Sequence, residues 1–107
     1  MSQMLRSHLA LATLMVWAGV VVFAQSSGEA VYKAKCQSCH GAQGTPSPAI
    51  AKAMGVKSAS DPAVKGQSEA QMIAVTSNGK GKMPAYKGKL TDAEIKASVD
   101  YFRGLAK

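Results

Sequence analysis

The sequence predicts a small all-α domain of three or four short helices joined by long loops. Helix start and stop signals recur along residues 25–107. No segment there shows the alternating, β-branched pattern that is typical of strands. A length of 107 residues allows one small domain, and a total of 2 cysteines excludes a disulfide-rich scaffold.

Residues 1–24 are predicted to be a secretory signal peptide. A short polar start contains Arg6, an uncharged apolar run of fifteen residues follows over Leu9–Phe23, and small Ala24 ends the segment. Since a membrane-spanning helix needs about 20 apolar residues, cleavage after Ala24 is favoured over the alternative, an uncleaved membrane anchor. Residues 25–107 would then form the mature domain, in a periplasmic or otherwise secreted location.

Three short helical segments are predicted in the first half of the mature domain. The first covers residues 29–35 and has an acidic residue in its first turn. A second covers residues 49–54 and is ended by Gly55. Asp61 followed by Pro62 is typical of a helix cap with proline at the first helical position, although the segment behind it is short.

Two capping boxes predict the helices of the second half. Ser68 and Gln71 form the first box, and its helix extends to about Ser77, before an Asn-Gly stop. Thr91 and Glu94 form the second box. The helix behind it has one apolar stripe, which consists of Ile95, Val99, Phe102 and Ala106.

Cys36, Cys39 and His40 form a C-x-x-C-H motif, the attachment signature of c-type haem. Two thiols at this spacing can reach the two vinyl groups on one porphyrin edge, and the adjacent imidazole can then bind the iron. Covalent haem also supplies a core to a chain of 83 residues, which is small for independent stability. The sequence therefore predicts one covalent haem c.

Other uses of the two cysteines are less consistent with the sequence. Structural zinc takes four ligands, but residues 25–107 contain no Cys or His beyond this motif. A thioredoxin-like pair expects a βαβ context, of which there is no sign. A plain disulfide between Cys36 and Cys39 is the remaining alternative, and it leaves His40 unexplained.

Met83 is predicted to be the second axial ligand of the iron. The mature domain has three methionines and no second histidine, and a His/Met pair is a known haem ligation. Met72 within a predicted helix and Met54 at a helix end are explained by core packing. Met83 lies in a loop rich in Gly and Lys, and Pro84 keeps it out of helical geometry. The alternative for Met83 is buried loop filler.

Three sequence features together resemble the class I cytochromes c, and above all their small, secreted, single-haem bacterial members. They are the motif Cys36–Gly41, the segment Asn78–Pro84 and the Thr-x-x-Glu helix that ends at Asp100-Tyr101-Phe102. The resemblance covers nearly all of residues 28–107. It implies the cytochrome c fold around haem, with first and last helices crossing, and one-electron transfer with His40 proximal and Met83 distal.

The resemblance implies further roles. Gly28 and Tyr32 match the small residue and the aromatic residue of the family's first helix, and Tyr101 matches the aromatic residue that meets them from the last helix. A proline carbonyl accepts the histidine ring N–H in the family, and Pro46 and Pro48 are the candidates here. Many relatives place a Trp near a haem propionate. The mature domain lacks one, and Tyr86 is the candidate donor instead.

The charge pattern predicts a partner class. The formal net charge is +7, and a positive ring around an exposed haem edge would steer the protein to acidic docking patches on redox partners. A solvated, soluble loop is the alternative. Nucleic-acid binding is not expected, since no aromatic platform accompanies the lysines. The ring would consist of Lys33, Lys35, Lys80, Lys82, Lys87 and Lys89.

The sequence thus predicts a mono-haem carrier that shuttles single electrons between redox partners outside the cytoplasm. It is not expected to be an enzyme, because no carboxylate pair, activated nucleophile or open metal position is evident. Two alternatives remain. One is a haem protein with an open sixth site, peroxidase-like or gas-sensing. The other is a membrane-anchored cytochrome subunit of a larger redox complex.

Overall fold

A computed structural model describes residues 28–107, and the predicted signal peptide over residues 1–24 lies outside the described part. The described chain is helical. It contains two isolated β-bridges but no strand, which confirms the all-α prediction. It has five helical segments rather than three or four. None of the helices among these residues is long and apolar enough to cross a membrane.

The first helix, α1, covers residues 28–40 and includes the whole attachment motif. Its π-helical turn Tyr32–Cys36 is followed by the α-helical turn Gln37–His40. The predicted end at residue 35 was therefore wrong. The helix continues until Gly41, whose φ of 84° ends it. The other helices are α2 (Pro48–Met54), α3 (Pro62–Lys65), α4 (Glu69–Asn78) and α5 (Asp92–Gly104).

Local capping explains where the later helices begin. Ser47 accepts a hydrogen bond from the Ile50 amide at the start of α2, and Asp61 accepts one from the Ala63 amide at the start of α3. Each cap is followed by proline at the start of the helix. Both predicted capping boxes, at the starts of α4 and α5, are formed reciprocally.

The core lies between α4 and α5. Met72 of α4 packs with Ile95 and Val99 of α5, and these three side chains are buried. Partly buried side chains from the same two helices and from other segments pack around them, namely Val64, Ile73, Tyr86, Leu90 and Phe102. Ile95, Val99 and Phe102 of the stripe predicted for α5 therefore face the core, whereas Ala106 lies beyond the end of the helix at Gly104.

The first and last helices contact each other, as the resemblance implies. A Cβ atom at Gly28 would lie 2.5 Å from the Ala97 carbonyl oxygen of α5, so glycine allows the two backbones to touch. One helical turn further, the ring of Tyr32, which is 1% exposed, lies 5.1 Å from the ring of Tyr101 between centroids. This contact holds the attachment motif against α5.

Gly28→Ala is expected to destabilise the protein by about 1–3 kcal/mol, because the added methyl group meets a backbone oxygen that cannot move independently of α5. Thermal unfolding of the holoprotein measures the change. Gly104→Ala is the matched control, since a Cβ there meets no atom within 4 Å; it should be neutral or slightly stabilising. A Gly28→Ala protein as stable as the wild type would contradict the close helix contact.

Candidate functional site

One apolar cavity lies at the centre of the described chain. Its volume is about 430 Å³, which is within the range of small-molecule and cofactor sites. All five helices contribute to its wall, and the contribution of α1 begins at Tyr32. Its lining includes Cys36, Cys39 and His40 from α1, Met54 from α2, Met72 and Thr76 from α4, Met83 and Tyr86 from the loop before α5, and Val99 and Phe102 from α5.

The cavity brings together all four residues predicted for the site. Cys36, Cys39, His40 and Met83 line it, although Met83 lies 43 positions after His40 in the sequence. The other two methionines of the mature domain line it as well. Because three thioether groups line the cavity, its lining alone does not single out Met83. The role of Met83 as the iron ligand therefore stays a prediction.

The two thiols lie on one side of α1 because residues three positions apart are neighbours on a helix surface. Both are unbridged and half-buried. Burial raises the pKa of the Cys36 thiol to about 11, and the nearby Cys39 adds to the rise. Cys36 is therefore a neutral thiol at physiological pH. The structure presents two separate thiols to the cavity rather than a disulfide.

His40 is the last residue of α1 and is half-buried. Burial lowers its pKa, which favours the neutral imidazole, the form that binds metals. Its Nδ1 atom is buried and has no hydrogen-bond partner within residues 28–107. The bond expected from the carbonyl of Pro46 or Pro48 is thus not formed in this structure.

Phe102 is a site residue that sequence reasoning missed. Its ring lies 5.2 Å from the His40 ring between centroids, edge-on at 62°, and 6.2 Å from the Tyr32 ring. The sequence placed Phe102 on the apolar stripe of α5 without a role at the site. Phe102 has a role at the site because the contact between α1 and α5 places its ring beside the imidazole of His40.

Two tyrosine hydroxyls bind backbone carbonyls beside the motif. Tyr32 donates to the Gly41 carbonyl at 2.6 Å, and burial raises the pKa of Tyr32 to about 12, so that its hydroxyl remains a donor. Tyr86 donates to the Lys35 carbonyl at 3.0 Å. The Tyr86 hydroxyl, which was the candidate donor to a haem propionate, therefore donates to a backbone carbonyl in this structure.

The distal segment, defined here as residues 79–86, holds Met83 in a tight turn. The Lys80 and Met83 backbones exchange hydrogen bonds of 3.1 and 3.0 Å, and Gly79 and Gly81 have φ angles of 76° and 57°. The ammonium group of Lys82 donates to the Ala53 carbonyl at 2.6 Å. A loop that is rich in Gly and Lys thus has a defined backbone at Met83.

The cavity rim is positively charged. Four exposed lysines from three segments line it, and no acidic residue of the described chain does. Three members of the predicted ring, Lys33, Lys87 and Lys89, do not line the cavity. Lys33 pairs with Glu29 at 2.7 Å. Lys57 was not predicted. The rim lysines are Lys35, Lys57, Lys80 and Lys82.

The residues present fit a haem. The two thiols are the groups that form thioether bonds to the porphyrin, and a neutral imidazole and thioether sulfurs are donors that bind haem iron rather than calcium or magnesium. The unpaired Nδ1 of His40 is a costly feature, of the kind that marks a functional group in native proteins. Among residues 28–107, no group of three or more Cys, His, Asp or Glu side chains is placed to hold a metal ion by itself.

Comparison with known proteins shows which family the chain resembles. The family model described as cytochrome c oxidase, cbb3-type, subunit III matches residues 23–102. The solved structure of the KustC0563 c-type cytochrome is 30% identical with a TM-score of 0.68, over 75% of this chain and 98% of that chain. A mutant of Kustc0563 gives 28% identity and a TM-score of 0.66, over 74% and 98%. Curated proteins gave no match. The family match includes the motif and Met83.

Proposed function

The chain belongs to the family described as subunit III of cbb3-type cytochrome c oxidase and is a small class I c-type cytochrome, and from this we propose that it is a mono-haem carrier that shuttles single electrons between redox partners outside the cytoplasm. The observation that supports the proposal most is that Cys36, Cys39, His40 and Met83 line one apolar cavity. The motif occurs once in the sequence, which supports a single haem.

In the proposed mechanism the chain binds the group and tunes it. Cys36 and Cys39 would hold the haem through thioether bonds, neutral His40 would provide a nitrogen ligand to its iron, and Met83 would provide a sulfur ligand. Haem held in this way supplies reversible one-electron chemistry at iron, with a potential that a Met ligand raises. The apolar walls, with Val99 among them, exclude water from the site. Two fixed ligands in a pocket without water would keep the reorganisation energy small when the charge of the iron changes.

Visible spectroscopy tests the proposal. The chain, expressed with haem-maturation machinery, is measured oxidised and dithionite-reduced, before and after addition of carbon monoxide. Sharp reduced c-type bands, a weak far-red Met–ferric band and no response to carbon monoxide are expected. Carbon monoxide binding by the wild type would favour the alternative with an open sixth site. Absence of covalent haem would contradict the whole proposal.

The rim lysines support docking to redox partners with acidic patches. Positive charge around the cavity mouth, with no acidic lining residue in the described chain, speeds encounter with an acidic surface, an effect that salt weakens. Lys57→Glu is expected to slow electron transfer to such a partner several-fold at low salt. Lys107→Glu makes the same change in net charge away from the rim and should slow it less. Equal rates for both variants would contradict docking through the rim.

A subunit of a larger redox complex is the second candidate, because the matching family is described as an oxidase subunit. The location outside the cytoplasm rests on the predicted signal peptide over residues 1–24. Membrane fractionation and the intact mass of the mature protein test both points together. A soluble protein whose intact mass matches a chain that begins at Gln25 supports the carrier. A membrane-bound protein that retains residues 1–24 supports the anchored subunit.

A further inference from the structure

Two hydrogen bonds hold the carbonyls on either side of the attachment motif. On the C-terminal side, the Tyr32 hydroxyl binds the carbonyl of Gly41, directly after His40. On the N-terminal side, the Tyr86 hydroxyl binds the carbonyl of Lys35, directly before Cys36. Tyr32 belongs to α1 itself. Tyr86 belongs to the distal segment, 51 positions further along the chain.

The π-helical turn explains why a carbonyl is available to Tyr86. The Gln37 amide binds the Tyr32 carbonyl, five residues back, whereas the Gly41 amide binds the Gln37 carbonyl, four residues back. Between these two bonds, the three amides of residues 38–40 face the four carbonyls of residues 33–36. One carbonyl must therefore share a donor or find another. The Tyr86 hydroxyl supplies a donor at Lys35.

The backbone of Tyr86 is held independently of its side chain. Its amide donates to the Thr76 carbonyl of α4 at 3.0 Å, and its carbonyl accepts from the amides of Lys89 and Leu90, both at 2.9 Å. Met83 lies three residues before this anchor. The Lys82 side chain ties the same segment to α2. Among the hydrogen bonds of residues 28–107, that of Tyr86 joins the distal segment to α1.

We propose that Tyr86 is a positioning residue that couples the distal segment to the π-helical turn Tyr32–Cys36 of α1. The Lys35–Tyr86 bond ties the segment that bears Met83 to the π-helical turn of α1, which ends at Cys36 and directly precedes the turn that bears His40. A hydrogen bond thus links the two parts of the chain that carry the proposed iron ligands. Opening of the distal segment must then break this bond. The inference rests on the proposed function for the role of Met83, but the contact itself does not depend on it.

Tyr86→Phe tests the coupling, because it removes the hydroxyl and keeps the ring. In the ferric holoprotein, imidazole competes with Met83 for iron, and loss of the far-red band measures its affinity. We expect Tyr86→Phe to raise the imidazole affinity about two- to tenfold, the effect of one lost hydrogen bond. Amide exchange of peptide 79–90 should rise as well. Tyr101→Phe is the control, since the Tyr101 hydroxyl binds no group in the described chain, and it should match the wild type.

The outcomes separate this inference from the proposed function. Wild-type imidazole affinity in Tyr86→Phe would overturn the coupling. An equal rise in Tyr101→Phe would overturn it too, because any lost hydroxyl would then loosen the site. A wild-type holoprotein without the far-red band would contradict ligation by Met83. Amide exchange of peptide 79–90 would then decide the coupling by itself, with unchanged exchange in Tyr86→Phe overturning it.

Discussion

Replacing Met83 by alanine is expected to let the ferrous holoprotein bind carbon monoxide, which the wild type should not do. Alanine has no donor atom, so the sixth position of the iron becomes available to an added ligand. The far-red Met–ferric band should disappear. The reduction potential should fall by about 0.1–0.2 V, a fraction of the range of about 0.8 V over which axial ligands set it. Difference spectra with carbon monoxide and a redox titration measure these changes.

The other two methionines provide the controls for this experiment. Met72 is 8% exposed and belongs to the core, so Met72→Ala should cost about 2–5 kcal/mol of stability and keep the far-red band. Met54 ends α2 on the cavity wall, and Met54→Ala should keep the band as well. A Met83→Ala protein that stays silent to carbon monoxide, beside a Met54→Ala protein that binds it, would transfer the ligand role to Met54.

Local signals made much of this protein predictable from its sequence. The C-x-x-C-H motif spans five residues, and its chemistry requires only that the helix place Cys36 and Cys39 on one side. In the two capping boxes, the Ser68 and Thr91 hydroxyls accept hydrogen bonds from backbone amides only three residues further along the chain. An apolar residue in a Gly- and Lys-rich loop needs an explanation, and this reasoning places Met83 at the site, where it lines the cavity, while its role as a ligand stays a prediction. These inferences use interactions that the neighbouring sequence already contains.

Interactions between distant segments account for what the sequence did not predict. The π-helical turn extends α1 beyond Lys35, and a hydroxyl from 51 residues away binds the carbonyl there. Lys57 follows α2 and lines the cavity, and a hydrogen bond from Lys82 ties this part of the chain to the distal segment. Lys33 is a different case, because it pairs with Glu29 one helical turn before it. This i,i+4 contact is local and could have been predicted from the sequence.

Phe102→Ala is expected to destabilise the protein by about 3 kcal/mol and to lower its Tm by more than about 10 °C. Removal of a large aromatic side chain from a packed site typically costs about 3–5 kcal/mol, and a domain of this size shifts by about 4–8 °C per kcal/mol. Phe102 is only partly buried, which places the expected cost at the lower end. Its ring packs against the rings of both His40 and Tyr32. Thermal unfolding of the holoprotein measures the loss.

Phe102→Leu separates the volume of this side chain from its aromatic edge. Leucine keeps most of the apolar contact with the core and should recover more than half of the lost stability. It cannot reproduce the edge-on contact at 5.2 Å that holds the plane of the His40 ring. The ferric low-spin EPR spectrum, which responds to the orientation of the axial ligands, should therefore still differ from that of the wild type. Recovery of both stability and EPR spectrum in Phe102→Leu would mean that Phe102 acts on His40 through volume alone.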